Sequence, residues 1–97
     1  MENILGFRDI PGYEGLYGIT SCGKVWSYKR KKFLKPGKNG HGYESVVLSK
    51  DGERCTLRVN RLVALTYIPN PEDKAWVDHI DGVRDHNWVS NLRWVTP

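Results

Sequence analysis

Hydrophobic and polar positions alternate along most of the chain, and the period of the alternation changes once. Leu16–Thr20 and Lys24–Tyr28 read as short strands flanking Ser21-Cys22-Gly23, a tight hairpin. Tyr43–Ser49 and Arg54–Val59 are β-like, the alternation being clearest in Cys55, Leu57 and Val59. Between them Lys50-Asp51-Gly52-Glu53 carries Asp-Gly, the two-residue signal of a type I′ hairpin turn. The spacing then lengthens. From Asn60 to Ile68, apolar residues stand at 62, 65 and 68 and at 63, 64 and 67, which predicts a helix with Asn60 as its N-cap. Pro69 and Pro71 stop it. Ala75–Ile80 reads as a strand, Asp81-Gly82 as a turn and Asn91–Val95 as a returning strand. Ile10–Gly15 is a turn cluster, and Pro36–Gly42, with three glycines and a proline, is expected to be a loop. The fold class is therefore α+β: a small N-terminal antiparallel sheet, one central helix and a C-terminal β-hairpin.

Composition narrows the class. At 97 residues the chain is one domain's worth, and 39% hydrophobic with 11% aromatic residues is too apolar for a disordered tail. Four Trp and five Tyr are expected to supply much of the core. No apolar run approaches the ~20 residues of a membrane span, and Met1–Asp9 lacks the layout of a signal peptide. Cys22 and Cys55 form no Cys-x-x-Cys pair, so a cysteine zinc site is not expected, and the two thiols are read as reduced and packed. The expectation is a soluble intracellular protein.

The net charge of +4 is unevenly distributed. Residues 24–61 hold eleven basic residues against Glu44, Asp51 and Glu53, whereas the segments on either side are each net −2. Lys29-Arg30-Lys31-Lys32, with Lys24, Lys35 and Lys38, is the densest part, and Trp26, Tyr28 and Phe33 interleave with these cations. A solvated loop explains such a run as readily as function does, but the aromatic interleaving points to a nucleic-acid surface. A two-stranded ribbon of the 43–59 hairpin is of a size to enter a major groove, with Arg54 and Arg58 alternating onto one face.

Candidate chemistry gathers between Trp76 and Thr96. Asp78 and His79 point to opposite sides of a strand. Asp, His and Asn are the residue types that metal-assisted phosphodiester hydrolysis needs: an oxygen ligand for a hard cation, an imidazole to take a proton from water, and an amide to fix the imidazole. Residue types alone leave the matter open, since Asp81-Gly82 and Asn87 serve equally well as turn formers and Asn91 as a cap.

The exact run is more specific. Asp78-His79-Ile80-Asp81-Gly82, followed by Asn87, Asn91 and Leu92-Arg93-Trp94-Val95-Thr96, resembles the HNH homing endonucleases of phages and group I introns. Upstream, Phe7-Arg8-Asp9-Ile10-Pro11-Gly12-Tyr13-Glu14-Gly15-Leu16-Tyr17, then Ser21 and Gly23-Lys24-Val25-Trp26-Ser27, resembles the NUMOD4 module that precedes such nucleases. Arg61-Leu62-Val63-Ala64 and Ile68-Pro69-Asn70-Pro71 match the family's central helix and its exit, so the resemblance covers roughly residues 7–96.

The resemblance implies the following. Residues 1–35 form a DNA-contacting β region. Residues 36–97 form the HNH-like region, comprising a hairpin at 43–59, the helix at 60–68 and the ββ part of a ββα-metal motif at 75–97, all in one compact unit. His79 would be the general base, Asp78 a ligand of one Mg²⁺ or Mn²⁺ ion, and Asn91 the residue orienting His79. Asn87 would be structural. The implied partner is double-stranded DNA, bound by a monomer through Lys24, Lys29, Arg30, Lys31, Lys32, Lys35, Lys38, Arg54 and Arg58. The implied setting is the cytoplasm of a bacterial host, with a phage as source. Three departures from the family pattern stand out. Asn60 replaces a frequent His, His86 replaces a frequent Asn, and Pro97 falls before the family's closing helix, which carries a further metal ligand. Two other readings follow: a DNA-binding module that has lost cleavage, and a basic module that meets an acidic protein.

Overall fold

The computed structural model describes residues 6–97. The first five residues of the expected 1–35 region, and most of the segment inspected for a leader, lie outside the described residues. Nine short strands and one helix follow in the order β1 (Phe7–Asp9), β2 (Tyr17–Thr20), β3 (Val25–Ser27), β4 (Lys32–Phe33), β5 (Gly37–Lys38), β6 (Glu44–Lys50), β7 (Glu53–Arg58), α1 (Val59–Tyr67), β8 (Trp76–His79) and β9 (Leu92–Val95). They form three antiparallel sheets: β1-β2-β3-β4, β5-β6-β7 and β8-β9. This is the α+β architecture that the sequence predicts. None of its described helices is long and apolar enough to cross a membrane.

Local chemistry sets the register. At the tip of the β6–β7 ribbon Asp51 and Gly52 both take positive φ, 53° and 80°, and Lys50 pairs with Glu53. These are the two left-handed positions of a type I′ turn, whose twist matches the strands that it joins. Residues paired across the ribbon share a face. Val46, Leu48 and Leu57 turn inward, while Val47, Thr56, Arg54 and Arg58 turn out. β7 runs directly into α1, so Arg58 stands at the N-cap without a side-chain hydrogen bond. The cap expected at Asn60 is corrected accordingly: Asn60 sits one turn inside, buried, because the strand's extended backbone ends later in space but earlier in sequence than the polar signal suggested. The helix closes where Ile68 N–H reaches Ala64 O, just before Pro69.

Two further expectations are corrected. The segment read as a loop, 36–42, contains β5, with Gly37 paired to Ser45 and Lys38 to Glu44. A two-residue edge strand is too short to show alternation, and its Lys is the sort of residue that edges tolerate. The core is aliphatic rather than aromatic: Ile10, Ile19, Val25, Val46, Leu48, Val59, Leu62, Val63 and Leu92 form one cluster. Trp76 and Trp88 are exposed, and Phe7 is the one aromatic fully enclosed, against Trp26, Tyr28 and Phe33. Branched aliphatics fit the narrow space between the ribbon, the helix and the first sheet. The broad rings lie at its margins, where Tyr67 Oη donates to Ile19 O and Trp94 Nε1 to Ile68 O. Both cysteines are free and exposed, not packed, since they fall in a turn and on the outer part of β7. The single cluster draws on β2, β3, β6, α1 and β9 together, so the helix and both hairpins are fixed relative to the first sheet.

Candidate active site and nucleic-acid interface

Strand alternation on β8 sends His79 inward and Asp78 outward. His79 is 7% exposed, and its Nε2 lies 2.8 Å from Asn87 Oδ1. Asn87 Nδ2 in turn donates to Glu44 Oε1 at 3.0 Å. This chain has a chemical direction. A carboxylate only accepts, so the Asn87 amide must turn its NH₂ to Glu44 and its oxygen to the imidazole. An oxygen facing Nε2 requires that nitrogen to carry the proton, which leaves the lone pair on Nδ1. Nδ1 finds no partner among the described residues and is not among the enclosed unpartnered atoms, so it opens to solvent. The Tyr43 ring stands 6.1 Å from the imidazole and carries the Arg58 guanidinium at 4.1 Å and that of Arg84 at 5.0 Å. Positive charge therefore lies beside the one nitrogen able to act as a base.

Asn91 is placed differently from expectation. Its Oδ1 accepts from Asp81 N–H, and its Nδ2 donates to Asp81 Oδ1 and His86 O. The amide is thus committed to the loop between β8 and β9, and the contact with His79 expected of Asn91 is made by Asn87. The reason is geometric: Asn91 ends a 3₁₀ turn at the foot of β9 and faces the loop across the hairpin, whereas Asn87 folds back beneath it. His86, whose chemistry the sequence left blank, sits 2.7 Å from Asp81 Oδ2 and stacks on Trp88 at 4.5 Å.

These bonds, that to His86 first and then those from Val83 N–H and Asn91, hold the Asp81 carboxyl at about 2, against an ordinary 3.8. Since the folded value is the lower, the loop's contribution is complete above 3.8 and is lost as the pH falls through about 2. A carbon-detected NMR titration of Asp81 should show its midpoint near 2; a midpoint at 3.8 or above would mean that the network does not form. Lys38 pairs with Asp85 at 2.8 Å and lowers that carboxyl too, while Arg84 Nη1 donates to His41 O. The β5–β6 turn and the catalytic-side loop are thereby tied together.

Asp78 faces away from His79. Arg93, its cross-strand partner, brings Nε and Nη2 to Oδ2, each at 2.9 Å. The other oxygen, Oδ1, is left to solvent, and the side chain is 41% exposed. Among the described residues no group of three or more His, Cys, Asp or Glu side chains is placed to hold a metal ion. The donor set is a single carboxylate oxygen, which suits a hard cation whose remaining ligands are water and phosphate.

The nine predicted DNA-contacting cations are all exposed. Lys29, Arg30 and Arg54 converge, with Lys50, on a cleft of about 810 Å³ between the first sheet and the ribbon. Lys24 borders a separate hollow beside Glu44, Lys38 is taken up by Asp85, and Arg58 lies at the far end of β7 over Tyr43. Lys31, Lys32 and Lys35 project from the first sheet and the segment that follows it. Sequence reasoning missed Glu44 and Tyr43, which lie more than thirty residues before His79 with no local signal, and Lys50, which read only as a turn flank.

The NUMOD4 motif matches residues 7–49. The chain is 43% identical over 90 residues to the DNA endonuclease I-HmuI of Bacillus phage SP01, a match covering 93% of this chain and 52% of that protein. The solved structure described as "DNA binding and cleavage by the HNH homing endonuclease I-HmuI" superposes with a TM-score of 0.88 over 93% of this chain and 52% of that one. A second relative, the uncharacterized HNH endonuclease L245 of Acanthamoeba polyphaga mimivirus, is 41% identical over 81 residues, 84% of this chain and 24% of that protein. The chain thus spans about half or less of the length of these curated HNH relatives.

Proposed function

We propose that this chain binds double-stranded DNA and, as part of an HNH endonuclease, hydrolyses a phosphodiester bond with His79 as general base. The observation that carries this reading is the Glu44–Asn87–His79 chain of hydrogen bonds, which fixes the imidazole as the Nε2–H tautomer and leaves Nδ1 basic and open. In the proposed step Nδ1 removes a proton from a water molecule as its oxygen bonds to phosphorus. The bond from phosphorus to a deoxyribose oxygen breaks, and solvent water protonates the departing oxygen. Asn87 is the positioning residue, and Glu44 positions Asn87. Asn91 holds the loop that carries Asn87. Asp78 Oδ1 would hold a divalent ion of the Mg²⁺ or Mn²⁺ type, which when bound supplies positive charge for the phosphate oxygens. The preference over zinc rests on a lone carboxylate oxygen being a hard donor without thiolate or imidazole beside it. The test is relaxation of supercoiled plasmid by the protein with Mg²⁺ or Mn²⁺; no relaxation with either ion, or cutting unaffected by EDTA, refutes it.

A second reading, a DNA-binding module without cleavage, is favoured by one observation: Arg93 already occupies Asp78 Oδ2. Salt-dependent binding with no metal-dependent nicking would select it. On either reading the protein acts where DNA is accessible, which for a phage-type enzyme is the host cytoplasm, and a monomer suffices because one chain contains the cleft and the imidazole.

Affinity in this proposal comes largely from the cleft. Four phosphates engaged by Lys29, Arg30, Lys50 and Arg54 give a slope of log K on log salt of roughly −4 on B-DNA. Lys29→Gln with Arg30→Gln should reduce the slope by about 2 and weaken binding to all sequences alike. A slope unchanged by the double substitution would take the phosphate contacts elsewhere.

A further inference from the structure

A cavity of about 280 Å³ lies at the start of α1, lined by Tyr43, Arg58, Asn60, Arg61 and Trp76, with Val77 at its floor. No acidic side chain lines it. What lines it donates. Arg61 gives one N–H to Ala75 O and keeps the others, and the Arg58 guanidinium lies flat on Tyr43. The helix start offers backbone N–H groups with neither a side-chain cap nor an acidic residue in the first turn.

Asn60 adds an independent sign. It is 5% exposed, and its Oδ1 accepts from Arg61 N–H at 2.8 Å. That bond fixes which end of the amide is which, so Nδ2 points the other way. Nδ2 has no partner among the described residues, yet it is not an enclosed atom, so it faces the cavity. A buried donor left unpaired costs about 1–3 kcal/mol and calls for an acceptor.

Position identifies the acceptor. Val77 and His79 lie on the same face of β8, two residues and about 6.6 Å apart. Tyr43 borders both the imidazole and the cavity. The space exceeds that of a phosphate group, and the exposed indole of Trp76 supplies a flat apolar wall. We propose that this cavity binds a backbone phosphate of the DNA strand presented to His79, one step along from the bond to be cut, with its nucleoside against Trp76. The proposal rests on the DNA-binding reading above and assigns the strand's register within it. Asn60 Nδ2, Arg58 and the first turn of α1 hold the phosphate.

The decisive variant is Asn60→Asp. It keeps the oxygen that accepts from Arg61 and favours the helix N-terminus, so the fold persists, but it turns the cavity-facing donor into an anion. Affinity for a short labelled duplex, measured in EDTA so that cleavage plays no part, should fall roughly tenfold or more, with the salt slope smaller by about 1. In the native protein the Asn60 side-chain amide and Trp76 indole signals should shift as duplex is added. Equal affinity in native protein and variant overturns the proposal. So do unmoved Asn60 and Trp76 signals while those of Lys29 and Arg30 shift, an outcome that leaves DNA binding intact. Failure of the native protein to bind any duplex at low salt overturns both readings.

Discussion

Replacing His79 by Ala should lower metal-dependent plasmid nicking by roughly 10²–10⁴-fold while leaving duplex affinity within about twofold. The asymmetry follows from position. The side chain is buried and reaches solvent through one nitrogen, so it contributes a proton acceptor and no phosphate contact of consequence. The fold should survive: the ring is enclosed by Asn87 and Tyr43 at the edge of the aliphatic cluster, not within it. A second substitution separates catalysis from packing. Glu44→Gln keeps shape but can offer Asn87 either an oxygen or an NH₂, so the amide is no longer compelled to turn its oxygen toward His79. A loss of about tenfold, with a displaced acid limb of the pH–rate profile, marks a positioning residue. Nicking by His79→Ala at the native rate would end the general-base assignment, and an unchanged pH profile in Glu44→Gln would end the relay from Glu44.

How much of this was legible in the sequence depends on the range of the interaction involved. Asp51-Gly52 announced its turn because the required backbone angles are a property of two residues. The helix at 59–67 showed itself through its own period, and its start was misplaced by two residues because Asn60 offers a capping side chain that the structure uses otherwise. β5 was invisible, since a two-residue edge is specified by its partner, β6. The same rule holds at the site. Asp78 and His79 are adjacent, and their placement on opposite faces of a strand follows from alternation alone. Which asparagine reaches the imidazole does not. Asn87 and Asn91 lie on one excursion of chain, and their roles are decided by Glu44 drawing in the first and Asp81 the second. Likewise the basic third of the chain was evident by counting, but its division among a cleft, an ion pair with Asp85 and a stack on Tyr43 is a matter of folding. Lys38 is the clearest case: a cation in sequence, half of a salt bridge in space.

The N-terminal sheet is structurally part of the catalytic centre, and Gly23 is where this can be measured. Gly23 lies in the turn between β2 and β3 with φ of +90°, and a Cβ there would meet Asn87 Cβ and Asn87 O at 3.0 Å and Val59 Cγ1 at 3.1 Å. Immediately beside it Val89 N–H donates to Ser21 O. Gly23→Ala therefore adds two costs, a positive-φ strain of about 1–2 kcal/mol and overpacking against backbone of about 1–3 kcal/mol. Together these are about 2–5 kcal/mol, a large part of the ~5–15 kcal/mol that stabilises a domain, and they lower Tm by roughly 10–30 °C. Gly52→Ala is the matched control: φ is +80° at the ribbon tip, with nothing within 4 Å, so only the strain remains. Chemical denaturation should thus show the Gly23 variant losing two to three times as much stability as the Gly52 variant. At temperatures where both are folded, nicking should fall in the first and not in the second, because the displaced atom belongs to the residue that holds His79. Equal losses of stability in the two variants would show that the turn yields freely, and that the first sheet and the imidazole are not mechanically joined through Asn87.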